Sequence, residues 1–141
     1  MADPLSIAAS VAGLLTTAGK ICSVLSGFVG AVADAPHSAR AALGAVEEVR
    51  VALEAVRGLI DTISGLPSRR RRLVRLDYVR ITFANCVLTL SELEALVCPE
   101  GGSGAMHRLR WAWGEKKVLR LLPRLESQKA SLSLMVTVLL W

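Results

Sequence analysis

Residues 36–64 read PHSARAALGAVEEVRVALEAVRGLIDTIS. Leu43, Val46, Val49, Leu53, Val56, Ile60 and Ile63 recur at spacings of three and four, so a helix gathers them on one face. Glu47, Glu48, Arg50, Glu54 and Arg57 fall mainly off that face. Gly65-Leu66-Pro67-Ser68 then stops the helix and offers Ser68 as the next cap. One amphipathic helix of this kind needs apolar partners, and the flanking sequence supplies them.

On the C-terminal side, residues 69–97 carry Leu76, Val79, Phe83, Cys86, Leu90, Leu93 and Val97 in an almost unbroken a/d pattern. Pro99-Glu100-Gly101-Gly102-Ser103-Gly104 reads as a loop. A last helix is predicted over 105–140, with Val118, Leu121, Leu122, Leu125, Leu132, Met135, Val136 and Leu139 as its apolar face. Pro123 lies inside that pattern; an interior proline loses a backbone hydrogen bond and costs about 3 kcal/mol, which predicts a kink or short break near Leu122. On the N-terminal side, Asp3 and Pro4 form a start signal for a helix over about 5–33, whose only charge is Lys20. Four long helical segments with short links predict an all-α fold, an antiparallel four-helix bundle, as one domain over 1–141.

Composition agrees with that reading. Of 141 residues, 52% are hydrophobic but only 4% aromatic, so the apolar content is Leu, Ala and Val, and strand signals are weak. A chain of this length buries roughly 68% of its unfolded surface and needs no disulfide or metal to fold. The net charge of +5 and pI near 9.6 point to an acidic partner, although Arg69, Arg70, Arg71, Arg72 and Arg75 carry much of the excess. Cys22, Cys86 and Cys98 form no CxxC pair and read as reduced, buried thiols of an intracellular protein. The opening Met1-Ala2-Asp3-Pro4 has no positive secretory n-region and no myristoylation glycine, which predicts a cytoplasmic or nuclear start. Trp141 falls inside an apolar run without a cap, and this end is expected to continue into a longer protein.

No catalytic site can be assembled. Gly13 to Gly19-Lys20 has five intervening residues where a phosphate-binding loop needs four, and Ile21 replaces the magnesium-binding hydroxyl. His37 and His107 have no cysteine at ligand spacing, which argues against zinc and against a Cys–His nucleophile. Acidic residues are scattered along helix faces. We therefore expect no enzyme, no cofactor, no metal and no small-molecule substrate. Arg69–Arg72 are a solvated turn or a contact for anionic lipid headgroups, each basic residue contributing about 1 kcal/mol near such a surface. Nucleic acid is the weaker reading, because few aromatic residues interleave with the basic ones. Trp111 and Trp113, flanked by Arg108, Arg110, Lys116 and Lys117, are candidate membrane-interface aromatics.

The first segment has two readings: the all-round-buried central helix of the bundle, or a helix able to enter a membrane. About 29 helical residues span roughly 44 Å, more than the roughly 30 Å hydrocarbon core. Lys20 divides the segment into uncharged stretches of 15 and 13 residues, each short for a spanning helix. Small residues recur every four positions at Ala9, Gly13 and Thr17, and again at Ser23, Gly27 and Ala31, a ridge that lets helices approach closely.

Two stretches carry a family resemblance: MADPLSIAASVAGLLTTAGKICSVLSGFV at 1–29 and RLRWAWGEKKVLRLLPRLESQKASLSLMVTVLLW at 108–141. They resemble the first and last helices of a fungal N-terminal domain of STAND (NOD-like) receptors and ankyrin-repeat proteins. That group includes the domain named after azaphilone pigment cluster protein L. The resemblance implies a HeLo-like helical bundle, similar to the executioner domain of the necroptotic pseudokinase. It implies a non-enzymatic effector that oligomerises with its receptor, relocates from the cytoplasm to the plasma membrane and causes programmed cell death through its N-terminal helix. The insertion and packing residues would then be Leu5, Ala9, Gly13, Leu14, Gly19, Gly27, Phe28 and Ala31. The expected partners are further copies of the chain, anionic lipid and other domains of a larger receptor. The alternative expectation is an adaptor bundle that assembles a receptor without membrane activity. Lys20 and Pro123 have no place in the mechanism the resemblance implies.

Overall fold

A computed structural model of the chain describes residues 4–31, 37–64, 76–97 and 104–139, with side chains described over 9–30, 37–62, 79–97 and 115–137. The described residues form four helices and no strand: α1 (Pro4–Ala31), α2 (His37–Ser64), α3 (Leu76–Val97) and α4 (Gly104–Leu139). Helix α1 packs against α2 and α3, and α4 packs against the same two. Each helix therefore has two principal neighbours.

The periodic apolar positions explain the packing. On α2, Val46, Val49, Leu53, Val56 and Ile60 are buried, and Leu43 is half-buried. Ala39, Ala42 and Ala45 extend the same buried stripe toward the N-terminus of α2, a part of the face that their small side chains concealed in the sequence. On α3, Val79, Phe83, Cys86, Leu90, Leu93 and Val97 are buried at a heptad-like spacing. On α4 the core residues are Val118, Leu121, Leu125, Leu132 and Met135, with Leu122 and Val136 half-buried. Burying one such Val, Leu or Met side chain contributes about 1.5–3 kcal/mol relative to leaving it in water.

One sequence expectation needs correction and a second is narrowed. Helix α1 is not buried all round: Val11, Leu14, Ala18, Ile21, Cys22 and Leu25 face the core, while Ala9, Ala12, Gly13, Thr16, Ser23, Gly27 and Gly30 are exposed. Its outward residues are small or hydroxylated, so composition alone made a one-sided helix look apolar throughout. Of the kink or short break expected near Leu122, no break is present: α4 is one helical run from Gly104 to Leu139 through Pro123. The Pro123 ring is exposed, so the carbonyl of Leu119, which loses its intrahelical donor, lies on the outer side of the helix.

Candidate functional site

Helix α1 is the candidate. Its stretch Ala9–Gly30 has 22 residues, a mean hydropathy of 1.4 and a single charge, Lys20. Length and composition are sufficient to cross a membrane, and a core helix of a soluble protein meets the same criterion. Only 33% of the stretch is buried against the rest of the chain. Half-buried Leu15, Val24, Phe28 and Val29 edge its buried stripe.

Lys20 has a defined place. Its Nζ donates to Glu94 Oε1 on α3 at 3.1 Å. The side chains are 59% and 33% exposed, so this is a surface pair bridging α1 and α3. On the outer face, Thr16 Oγ1 turns back to donate to the carbonyl of Ala12 at 2.9 Å, which satisfies the hydroxyl locally. A Cβ built on Gly13, Gly19, Gly27 or Gly30 would meet nothing within 4 Å. Of the small-residue ridge read from the sequence, Gly13 and Gly27 therefore meet no other described residue and Ala9 and Ser23 are exposed, while Thr17 is half-buried.

Of the residues singled out in sequence, Leu14 is buried, Phe28 and Gly19 are half-buried, and Ala9, Gly13 and Gly27 are exposed. Leu5 and Ala31 belong to α1, but their side chains lie outside the described residues. Trp111 and Trp113 belong to α4 with the same limit, and Arg69, Arg70, Arg71, Arg72 and Cys98 lie outside the described residues altogether. Sequence reading named Lys116 beside the tryptophans but missed that it belongs to a basic stripe on α4. Lys116, Arg120 and Arg124 are exposed and four residues apart, so they share one face. The i, i+4 spacing was the signal. Arg124 Nη1 donates to Glu92 Oε2 at 3.2 Å, and Lys129 lies further along, bonded to Glu48 at 2.8 Å and Glu126 at 3.2 Å. Those two carboxylates raise the pKa of the Lys129 ammonium, Glu48 foremost.

Between α3 and α4 lies a polar cleft of about 450 Å³. Gln128 forms part of its wall and is 8% exposed. Its Nε2 donates to the Asn85 carbonyl at 3.0 Å and to Thr89 Oγ1 at 2.5 Å. Its Oε1 is buried without a partner among the described residues. Periodicity could not find this residue, because one glutamine on an apolar face carries no pattern.

Cys22 and Cys86 are buried free thiols, and burial pushes the Cys86 thiol up to about 11. A thiol held neutral in this way is a poor nucleophile. Among the described residues, no group of three His, Cys, Asp or Glu side chains is placed to hold a metal ion. No protein-family model, curated protein or solved structure matches the chain.

Proposed function

We propose that this chain is a non-enzymatic, membrane-targeting effector domain, a HeLo-like antiparallel four-helix bundle of a fungal immune-type receptor. After oligomerisation, α1 leaves α2 and α3 and enters a membrane, causing cell death. The observation that carries the reading is α1 itself: a 22-residue apolar stretch with one charge, only a third of it buried. Antiparallel packing of α3 and α4 is supported by their cross-links. Gln128 meets Thr89 and Arg124 meets Glu92, so numbering rises on one helix as it falls on the other. The contacts of α1 with α2 and α3, and of α4 with the same pair, fit a closed ring in the order α1, α2, α4, α3. Lys116 and Arg120 on α4 suit anionic headgroups, as do Arg69–Arg72, and Trp111 and Trp113 suit the interface. The domain rests in the cytoplasm and moves to the plasma membrane.

Dye leakage from vesicles of phosphatidylcholine with phosphatidylserine tests this. Open space at Gly13 lets Gly13→Glu and Gly13→Gln both fold. A charge at the centre of a spanning helix costs about 2.5–3.5 kcal/mol on insertion scales, and Gly13, nearer the N-terminal end of the stretch, bears part of that cost. Leakage by the intact chain and by Gly13→Gln, clearly reduced by Gly13→Glu, is the expected result. Equal leakage by the two variants, or none from a folded oligomer, sinks the reading.

The second reading is a protein–protein adaptor without membrane activity. Ile81 and Leu88, 61% and 62% exposed and two helical turns apart on one face of α3, favour it. Its signature is self-association with no lipid binding.

A further inference from the structure

We propose that the cleft between α3 and α4 binds a neutral polyhydroxylated molecule of the size of a hexose or disaccharide. The inference is independent of the membrane reading, because α1 contributes nothing to the cleft walls. Its volume of about 450 Å³ falls in the range of small-molecule sites. Thr82, Asn85, Thr89, Ser127, Gln128 and Ser131 line it with hydroxyls and amides. Such groups both donate and accept, as the hydroxyls of a sugar do.

The charge at the cleft is already balanced. Arg124 and Glu92 pair with each other at 3.2 Å at one end, so neither an anion nor a cation is favoured. A purely apolar occupant is disfavoured as well, because it would cover the hydroxyls and amides of the wall without pairing them, and a buried polar group left unpaired is costly. Leu88, 62% exposed at the cleft wall, offers an apolar surface to the C–H face of a sugar ring. Gln128 forms part of the cleft wall, so its side-chain amide is a direct reporter of an occupant.

The test is a titration of the ¹⁵N-labelled full chain with D-glucose and, separately, with trehalose, followed by NMR. Saturable shifts of the Gln128 side-chain amide and of the Thr89 and Ser131 backbone amides are expected with at least one sugar. Gln128→Leu, close in volume, should weaken binding about tenfold or more, the loss expected for one or two buried hydrogen bonds. Ser131→Ala removes a wall hydroxyl with little risk to the fold and should weaken binding while leaving the melting temperature in place. Shifts that stay linear with both sugars overturn the proposal, as do shifts unchanged by Gln128→Leu. Cleft shifts that follow protein concentration without sugar also overturn it, because they assign the cleft to a second copy of the chain.

Discussion

Lys20 shows what one side chain does to a helix that otherwise looks ready to leave water. At rest its ammonium is held by Glu94, and an exposed pair of this kind contributes only about 0–1 kcal/mol. It is too weak to hold the fold together, yet it ties α1 to α3. Glu94→Gln is therefore expected to change unfolding free energy by less than about 1 kcal/mol while speeding vesicle leakage, since α1 sheds a tether before it moves. Chemical denaturation beside leakage kinetics checks both halves; slower leakage would show that Glu94 assists release. Cys86 makes a residue-scale prediction about pH. Its folded pKa is about 11 against an ordinary 9.0, so between those values the unfolded chain gives up a proton that the folded chain keeps. Fewer protons on the unfolded state means stability falls as pH rises. This contribution is complete below about pH 9 and is lost progressively toward pH 11. Urea titrations across that window should show a shallower decline for Cys86→Ala than for the parent chain, each compared with its own value at neutral pH. An identical slope would mean that the thiol ionises as easily folded as unfolded.

At the scale of one helix, Pro123 sets the next expectation. The ring leaves the Leu119 carbonyl without its helical donor, and α4 continues through the defect because core residues on both sides, Leu121 and Leu125, hold the two halves in place. Pro123→Ala restores the bond at an exposed position and is expected to raise stability by up to about 3 kcal/mol, read as a higher melting temperature. No gain would mean that packing on either side already offsets the missing hydrogen bond. The same element shows what sequence reading reaches. Its core positions were legible, because Val118, Leu121, Leu125, Leu132 and Met135 repeat with the helical period and burial follows that period. Its continuation past Pro123 was legible too, because the apolar period resumes at Leu125 and Leu132; only the absence of a break at the proline was not, since local propensity says nothing about packing on either side. Helix α1 failed differently: Gly, Ala, Ser and Thr are tolerated both inside and outside, so the sequence could not say which way Gly13 and Gly27 face. The Lys20–Glu94 pair spans 74 positions and the Gln128–Thr89 bond spans 39, and single-residue polar contacts at such separations leave no periodic trace.

For the whole molecule, the proposed release of α1 raises the question of what would remain. Helix α1 places Val11, Leu14, Ile21 and Leu25 in the core. At about 1.5–3 kcal/mol each, they account for roughly 6–12 kcal/mol, comparable to the entire stability of an ordinary domain. Helix α1 therefore does not detach in water on its own; under the proposed function its apolar face is re-buried in a bilayer as it leaves. The contacts of α4 with α2 and α3 do not involve α1, so those two interfaces can persist after release. Hydrogen–deuterium exchange separates the stages. In water, amides of 11–25 should exchange only as slowly as the α2 and α4 core, with no separate opening of α1. On vesicles, α1 should stay protected as a lipid-embedded helix, α2 and α3 should lose protection where α1 lay, and the α4 amides from Val118 to Met135 should change least. Loss of protection spread evenly over all four helices would mean that the domain unfolds on the surface instead of releasing one helix. Fast exchange of α1 in water would mean that the helix is loose before any membrane is met, and the burial of Ile21 and Leu25 would then contribute far less than their area implies.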